Sequence, residues 1–381
     1  MERNIFFWFD SPPKVGKGAF NYVANNYSGT VHYVFNNDFR EERKATKWDD
    51  GDYGKAHLHL LYKEKNEEDA IAEIFREHST DIHLINGFSS LITKKIKSFI
   101  IGGNVEIGFL SERPVLMGNW LEHHIRAIYF SWKYASIRRT FFHSTKVVLP
   151  LGMLGVRTFN KYGWPMDRMF PFMYNPVLKC ITPKYYTSHH PLRFLYVGRF
   201  YYKTKGVDTL MKATNYLHGE WELHMVGGYG KNANEVITWA ESHPHVQYLG
   251  SWSSPSIVSH LIDYDVVVIP SKYDGWNLLV NEALHAGIGA IATDQTTSHE
   301  VIENSEAGMV VKANNPKALS SAMQYAIDNP KSVIEWKQRA TRFCPNISTE
   351  KVGQYLLDII NFSFNKNIGS RPICPWIKKQ Y

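Results

Sequence analysis

Short apolar runs rich in β-branched and aromatic residues alternate with longer mixed segments along the chain. In the first half, the pattern predicts strands at residues 4–9, 31–35, 81–86 and 105–110. In the second half, it predicts strands at residues 192–197, 221–226, 246–250, 266–269 and 290–293. Such runs are typical of strands buried on both faces of a parallel sheet. Because helical segments separate them, the sequence predicts an α/β fold.

The length of 381 residues exceeds what one hydrophobic core commonly supports, so we expect two domains. Two Pro-containing stretches between residues 182 and 191 interrupt the regular pattern and indicate a boundary there. We therefore expect an N-terminal domain at residues 1–186 and a C-terminal domain at residues 187–348. The remainder, residues 349–381, contains an amphipathic helix at residues 352–362 and a tail.

Two carboxylates follow the strand at residues 266–269. Asp274 lies in the turn after Pro270 and Ser271, and Glu282 lies one turn inside a helix predicted at residues 278–286. Open α/β sheets bind ligands at the carboxyl ends of their strands, and a helix start favours an anionic group nearby. A carboxylate in this position can accept hydrogen bonds from both hydroxyls of a ribose. The pattern is typical of a nucleotide-sugar site.

Three cations follow the strand at residues 192–197. Arg199, Lys203 and Lys205 stand between Gly198, which ends the strand, and a helix that starts at Gly206. Arginine as a planar fork and lysine as a mobile point charge suit a diphosphate. Taken alone, a basic loop is more often solvated surface.

Together these two blocks resemble the retaining GT-B glycosyltransferases of the family-4 type. That family is marked by two glutamates with seven residues between them, in the context Pro-Ser, Glu-Gly-Phe-Gly and Glu-Ala. Here Asp274 replaces the first glutamate, Glu282-Ala283 matches the second, and Trp276-Asn277 replaces Phe-Gly. The resemblance implies two Rossmann-like domains facing a cleft, with a C-terminal helix that crosses back to the N-terminal domain.

The resemblance also implies roles for single residues. Gly198-Arg199 and Lys205-Gly206 correspond to the pairs that hold the donor pyrophosphate, with Lys203 as a near competitor. Glu282 would hold the ribose and Asp274 the donor sugar. Further donor contacts are expected from Gly228, Tyr248, Ser251, Trp252, Gly275, Trp276, Asn277 and Leu278.

In the N-terminal half, Gly16-Lys17-Gly18 forms a glycine loop before a helix at residues 19–26. The resemblance implies that this loop lies near the donor phosphate or the acceptor; a simple turn is the alternative.

Glu112, after the strand at residues 105–110, is a candidate acceptor-site and catalytic carboxylate. The alternative is an exposed residue paired with Arg113. We therefore predict Asp274, Arg199, Lys205 and Glu112 as catalytic residues, while none of His83, His123 and His124 can be assigned a role.

The net charge is +7, which favours anionic partners. Residues 113–148 hold six Lys and Arg against one Glu, with seven interleaved aromatic residues: Trp120, Tyr129, Phe130, Trp132, Tyr134, Phe141 and Phe142. Two interpretations stay open: a helix on an anionic membrane surface, or a helix packed on the sheet with its aromatics in the core. Because the sequence carries no nucleic-acid module signature, we expect no nucleic-acid partner.

The three cysteines, Cys180, Cys344 and Cys374, are too few and too scattered for a disulfide framework or a zinc site, which suggests a reducing compartment.

Asp263-Tyr264-Asp265 has the letters of a metal motif but precedes a buried strand. Cations and helix amides can stabilise a leaving diphosphate instead, so we expect no metal and no other cofactor. With no secretory signal or spanning segment visible, we expect a cytoplasmic protein, and a peripheral position at the inner face of a membrane stays open.

The sequence therefore predicts a glycosyltransferase that moves a hexose-type sugar from a UDP or GDP donor to the hydroxyl of a saccharide or lipid-linked saccharide. Retention of anomeric configuration, and a place in bacterial-type surface polysaccharide or glycolipid assembly, are implied by the resemblance alone. Two alternatives stay open: a nucleotide-sugar epimerase of the same fold, and a non-catalytic nucleotide-sugar-binding protein.

Overall fold

The computed structural model describes residues 2–13, 16–39, 51–118, 120–252, 257–365 and 369–378. The chain divides into two compact units. Unit 1 comprises Met1–Val177 and Thr349–Cys374, and unit 2 comprises Leu178–Ser348 and Pro375–Tyr381. Residues 178–186 and 375–381 thus belong to unit 2, whereas the first range was predicted in the N-terminal domain and the second in the C-terminal helix and tail.

Unit 1 is built on six parallel strands: β1 (Ile5–Phe9), β2 (Val31–Phe35), β3 (His57–Leu60), β4 (Ile82–Asn86), β5 (Glu106–Ser111) and β6 (Thr145–Pro150). Their order in the sheet is β3-β2-β1-β4-β5-β6. The described helices are α1 (Lys17–Asn26), α2 (Glu67–His78), α3 (Leu91–Gly102), α4 (Trp120–Phe141), α5 (Gly152–Lys161) and α14 (Thr349–Phe364), with 3₁₀ turns at Leu61–Lys63 and Met166–Arg168.

Helix α14 shows why the C-terminal segment belongs to unit 1. Its apolar side, which includes Val352, Leu356 and Ile360, is fully buried. Gly353 lets the helix approach α1 closely, because a Cβ atom there would lie 2.3 Å from Cβ of Tyr22. The amphipathic helix predicted at residues 352–362 therefore completes the core of the first unit.

Unit 2 repeats the same plan with β7 (Leu192–Val197), β8 (Trp221–Val226), β9 (Val246–Tyr248), β10 (Val266–Ile269), β11 (Gly289–Thr293) and β12 (Gly308–Val311). These strands are parallel, in the order β12-β11-β10-β7-β8-β9. The described helices are α6 (Tyr202–Lys205), α7 (Val207–Thr214), α8 (Ala233–Ser242), α9 (Ile257–Leu261), α10 (Leu278–His285), α11 (His299–Ser305), α12 (Pro316–Asp328) and α13 (Pro330–Phe343), with a 3₁₀ turn at Cys344–Ile347. In the final segment Trp376 is fully buried, and its indole Nε1 donates to Oε1 of Glu300 at 3.2 Å.

Both sheets place their first and fourth strands side by side. In unit 1 these strands are β1 and β4, and in unit 2 they are β7 and β10. The direction in which the chain adds strands reverses between them, and such switch points open a crevice at the carboxyl ends of the strands. The predicted α/β class with two Rossmann-like sheets is confirmed.

Helix α4, which lies within residues 113–148, has one buried and one exposed face. Tyr134 and Phe141 are buried in the core of unit 1, and Phe130 and Ile137 pack against that core. The other face of the helix is exposed. Its large apolar side chains there are between 52% and 75% exposed: Trp120, Leu121, Ile125, Ile128, Tyr129 and Trp132. Among the described residues, we find no helix with both the length and the apolarity to cross a membrane.

One expectation about cysteine was wrong. Cys180 and Cys344 form a disulfide, with their Cα atoms 6.0 Å apart. The two residues are separated by 164 positions, so their approach depends on tertiary packing that sequence spacing does not reveal.

Candidate functional site

An ion pair occupies the switch point of unit 2. Nζ of Lys205, the last residue of α6, donates to Oδ2 of Asp274, in the turn after β10, at 2.6 Å. The same oxygen accepts from Nδ2 of Asn277 at 2.9 Å and from Oγ of Ser271 at 3.5 Å. The structure thus brings together two of the predicted catalytic residues, from segments 69 positions apart in sequence.

Backbone contacts fix these two loops against each other. Gly206 has a positive φ of 62°, and a Cβ atom there would lie 2.0 Å from the carbonyl oxygen of Pro270. The amides of Lys272 and Tyr273 donate to the carbonyl of Thr204 at 2.8 and 3.2 Å. The position of Gly206 therefore admits glycine alone without displacement of the backbone.

A second ion pair lies at this junction, and the sequence pattern did not predict it. Nζ of Lys272 donates to Oδ2 of Asp208 at 2.7 Å, and both side chains are about one-fifth exposed. The signal available in the sequence was a cation three residues after the end of β10 and two residues before Asp274. Its partner could not be identified, because Asp208 lies 64 positions away.

Arg199 and Lys203 both have exposed side chains. The backbone of Arg199 is nevertheless held, since the hydroxyl of Tyr196 donates to its carbonyl at 2.9 Å. Burial raises the pKa of Tyr196, and the nearby Asp274 carboxylate raises it further. The phenol therefore stays protonated and remains a donor, while the Arg199 guanidinium extends from a fixed position.

The predicted glycine turn after β8 packs tightly against the loop after β7. A Cβ atom on Gly227 would lie 2.1 Å from the carbonyl oxygen of Gly198, and one on Gly228 would lie 2.4 Å from the hydroxyl of Tyr248. The hydroxyls of Ser251 and Tyr248 donate to the Gly227 carbonyl at 2.5 and 3.3 Å. Gly198, Gly228, Tyr248 and Ser251 thus lie together.

Trp252, the remaining predicted base contact, is partly buried. Its ring lies over that of His260, with centroids 4.5 Å apart.

Asn277 caps the N-terminus of helix α10, since its side-chain oxygen accepts from the amide of Leu279 at 3.0 Å. Glu282 of this helix is only 8% exposed. Gly275 is buried and Leu278 partly buried, while the Trp276 ring is buried and its indole donates to Oδ1 of Asn281 at 2.9 Å. The tryptophan therefore supports the turn from inside the unit.

Asp265, in the Asp-x-Asp pattern, is fully buried. It accepts from Nζ of Lys337 at 2.7 Å, from the amide of Arg193 at 2.9 Å and from the amide of His189 at 3.1 Å. These contacts join the start of β7, the middle of α13 and the segment before β7. Asp265 is thus a structural residue of the interior.

The candidate residues of unit 1 have different surroundings. Lys17 is 7% exposed, and its ammonium lies 4.9 Å from the ring centroid of Tyr53. The amide of Gly18 donates to the carbonyl of Asn175 at 2.9 Å, and a Cβ atom on Gly16 would meet the Phe20 ring at 2.6 Å. Glu112 is exposed, and its Oε1 accepts from the hydroxyl of Tyr174 at 2.8 Å.

His83 is a core residue of unit 1. Trp8 Nε1 lies 3.1 Å from its Nδ1, and its Nε2 lies 2.8 Å from the carbonyl oxygen of His78. A neutral ring with the proton on Nε2 satisfies both contacts. Burial lowers the pKa of His83 to about 4, so the ring stays neutral and structural. His123 and His124 are exposed on α4.

The fold and the site define an α/β protein with two Rossmann-like sheets and a cationic loop at one switch point. Residues 183–343 match the family model described as "Glycosyl transferases group 1". That segment contains the predicted donor-binding residues and belongs to unit 2 throughout.

Curated relatives match over a similar segment. An uncharacterized glycosyltransferase of Methanocaldococcus jannaschii is 26% identical over 158 residues, which cover 41% of this chain and 44% of the relative. An N,N'-diacetylbacillosaminyl-diphospho-undecaprenol alpha-1,3-N-acetylgalactosaminyltransferase of Campylobacter jejuni is 28% identical over 138 residues, or 36% of each chain. The chain thus spans less than half the length of these relatives.

Solved structures match over nearly the whole chain. The Anabaena protein HepE, in complex with UDP and glucose, has a TM-score of 0.69 at 12% identity and covers 95% of this chain and 100% of its own. A glycosyltransferase from Rickettsia africae has a TM-score of 0.70 at 17% identity, with 96% and 100% covered. At such low identity these neighbours show a shared fold, which is that of GT-B glycosyltransferases.

Proposed function

We propose that the protein is a retaining GT-B glycosyltransferase that moves a hexose-type sugar from a nucleotide diphosphate to an acceptor hydroxyl. The observation that carries the proposal is the pairing of Lys205 with Asp274 at the switch point of unit 2, beside the exposed Arg199. The family match over residues 183–343 and the relatives named as glycosyltransferases support the same activity.

In this proposal Arg199 and Lys205 bind the donor diphosphate, with Lys203 as a peripheral cation. The Lys205 ammonium is already oriented by Asp274, so little reorganisation is needed when negative charge develops on the leaving diphosphate. Glu282 accepts the ribose hydroxyls, and Asp274 positions the donor sugar. The glycines at 198, 228 and 275 allow close approach of the backbone to the ligand, and Tyr248, Ser251 and Trp252 lie on the base side.

The chemical step follows from the family resemblance. The bond between the anomeric carbon and the leaving phosphate oxygen breaks, and a bond forms from that carbon to the acceptor oxygen on the same face. The acceptor proton passes to the phosphate oxygen, so all atoms balance with no further base. Glu112 and the loop at Gly16, Lys17 and Gly18 are the proposed acceptor-side elements.

The test measures nucleotide diphosphate release from a panel of UDP- and GDP-sugars in the presence of saccharide acceptors. We expect Arg199→Ala and Glu282→Ala each to lower turnover about 100-fold, since each removes a contact to the donor. Lys312→Ala is the matched control, because Lys312 pairs with Asp294 at the surface of the same unit. Full activity in both site variants would exclude these roles.

Two alternative functions of this fold would give different results. A nucleotide-sugar epimerase would convert its substrate without an acceptor. A non-catalytic binding protein would bind nucleotide in calorimetry without turnover in any acceptor mixture. The aspartate in place of the usual first glutamate motivates this second comparison.

We further propose that the acceptor is a saccharide or lipid-linked saccharide met at an anionic membrane surface, in surface polysaccharide or glycolipid assembly. The exposed side of α4 supports this proposal, since Trp120 and Trp132 are 75% and 71% exposed on a helix that also carries Arg126 and Lys133. Apolar rings with flanking cations suit the boundary between headgroups and acyl chains. The name of the Campylobacter jejuni relative includes a diphospho-undecaprenol acceptor.

Co-sedimentation with vesicles tests this surface. We expect binding to vesicles containing an anionic phospholipid, weaker binding to purely zwitterionic vesicles, and loss of most binding in a Trp120→Ala, Trp132→Ala double variant. Tyr216→Ala, at a tyrosine 55% exposed in unit 2, is the control. Equal sedimentation of the double variant and the wild type would contradict a membrane role for α4.

A further inference from the structure

Two cysteines and a histidine meet at the C-terminal end of α10, whereas the turn after β10 that holds the donor-site residues precedes its N-terminal end. Cys180 precedes β7, His285 is the last residue of α10, and Cys344 begins the 3₁₀ turn after α13. Within the described part of the chain, these residues form the one group whose side-chain ligand atoms could hold a metal, all within 4.8 Å of one another.

The backbone holds the three segments in place. The amide of Ile181 donates to the carbonyl of His285 at 2.7 Å. Gly287 has a positive φ of 69°, and the side chains of Thr341 and Pro183 pack closely against it. A Cβ atom at this position would lie 2.8 Å from the Thr341 side chain and 3.5 Å from that of Pro183. The approach of Cys180, His285 and Cys344 is therefore built into the packing of three different segments.

The contacts of His285 orient its ring. Its Nδ1 lies 2.7 Å from the carbonyl oxygen of Asn281, which can only accept, so Nδ1 carries a proton. In a neutral ring the lone pair is then on Nε2. A histidine that ligates a metal typically donates its other ring N–H to a backbone carbonyl or carboxylate in this way. His285 is 1% exposed and Cys344 is fully buried, whereas Cys180 is exposed.

We propose that Cys180, Cys344 and Nε2 of His285 form a redox-gated site for a thiophilic divalent metal, with Zn²⁺ as the best match. In the oxidised protein the two cysteines form the disulfide and the site is closed. In the reduced protein the two thiolates and the imidazole give a Cys₂His set, and the exposed side at Cys180 admits water as a fourth ligand. Zinc binds such N and S ligands at about 2.0–2.3 Å in tetrahedral geometry.

The conversion balances with a thiol reductant. A thiolate attacks Sγ of the exposed residue Cys180, and a second thiol resolves the mixed disulfide, so that the protein gains two electrons and two protons while two reductant thiols become a disulfide. The metal ion then displaces the two thiol protons. Reduction and metal binding together replace one cross-link between Cys180 and Cys344 with another.

The test compares reduced and oxidised protein by two measurements that do not depend on turnover. Protein reduced with a phosphine under anaerobic conditions is loaded with Zn²⁺, desalted and analysed for bound metal. Parallel samples are titrated with Co²⁺ and followed by thiolate-to-cobalt charge-transfer absorption. We expect about one metal per reduced chain, none in the oxidised chain, and loss of the charge-transfer band in Cys180→Ser.

His285→Gln should keep a charge-transfer band but weaken metal affinity by at least about 10-fold, as expected when a nitrogen ligand is lost. Cys374→Ser, in unit 1, is the matched control and should bind as the wild type does. Because Cys180 is exposed, Cys180→Ser should fold normally even if a change at the buried Cys344 does not. Metal retention by reduced wild type no greater than that of Cys180→Ser would overturn the proposal and leave a structural disulfide only.

Discussion

The two units share one strand order but differ in what occupies the switch point. In unit 2, the loops after β7 and β10 present Arg199 at the surface and hold Lys205 on Asp274. In unit 1, Asp10 at the end of β1 accepts from the amides of Leu91 and Ile92 at 3.1 and 2.8 Å, which caps α3.

The glycine loops of the two units differ in the exposure of their lysines. Lys17 of unit 1 is buried over Tyr53, whereas Lys205 of unit 2 is about one-fifth exposed. Topology thus supplies a crevice in both units, but the loop side chains decide whether it carries charge for an anionic ligand. Three predictions test this contrast.

Acidification should lower the free energy of unfolding of unit 1 more than that of unit 2. In unit 1, burial lowers the pKa values of His32 and His83 to about 4, and that of His59 in the same direction. Above the unfolded value of about 6.5 both states are neutral and the full stability is present. Below it the unfolded chain takes up protons first, so the free energy of unfolding falls between pH 6.5 and 4, by about 3 kcal/mol for His83 alone.

Hydrogen exchange at pH 7 and pH 5 measures this effect in each unit. Unit 2 should lose less protection, because His224 and His243, the two histidines among its described residues for which a lowered pKa is shown, are partly exposed. His83→Gln keeps a donor and an acceptor without a titrating ring, so it should reduce the pH dependence of unit 1. Equal losses in both units, or an unchanged profile in this variant, would argue against the histidine mechanism.

Removing the corresponding lysines should separate function from structure. Lys205→Met should lower turnover about 100-fold, because a cation facing the leaving diphosphate is lost. Asn277 and Ser271 still donate to Asp274, so the fold should persist. Lys17→Met should lower thermal stability and leave the donor KM unchanged; a raised donor KM would instead indicate that the glycine loop of unit 1 contacts the donor phosphate.

Glycines at the two helix starts should differ in their tolerance of alanine. Gly206→Ala combines a positive φ with a contact to a backbone oxygen, so we expect a loss of about 2 kcal/mol in the free energy of unfolding. Gly18→Ala meets Asn175 without a positive φ and should cost less, about 1 kcal/mol. Chemical denaturation measures both.

The control for these glycine variants is Gly219→Ala. This position has a positive φ of 82° but open surroundings, with the nearest contact 3.4 Å away, on Ile327. We expect Gly219→Ala to lower the free energy of unfolding by about 1 kcal/mol, which is the cost of placing alanine in the left-handed backbone conformation. A loss at Gly219 equal to that at Gly206 would show that the contact with Pro270 is unimportant.

Local pattern was sufficient for much of the fold. Strands β2, β7, β8 and β10 have the predicted bounds, because their apolar runs are bordered by glycine, proline or polar turns. The sequence also brought Lys205 and Asp274 into one hypothesis, through the resemblance. It could not supply their direct contact, since the spacing of two loops depends on the register of β7 beside β10.

Contacts between distant segments account for the rest. The disulfide joins positions 164 apart, and the Lys337 partner of Asp265 is 72 positions away. The dual character of α4 was equally hidden, because the same aromatic residue types occur on its buried and exposed sides. Composition alone does not distinguish these two faces.

The return of the chain to unit 2, where Trp376 is buried, affects the order in which the two units can fold during synthesis. Residues 349–374 complete unit 1 and residues 375–381 then return to unit 2, so neither body is assembled from one continuous stretch. During synthesis, the surface of α1 that Gly353 approaches stays uncovered until the ribosome has made the segment that forms α14, residues 349–364. Nascent chains stalled before residue 349 should therefore expose apolar surface on their first domain and depend on chaperones during that interval.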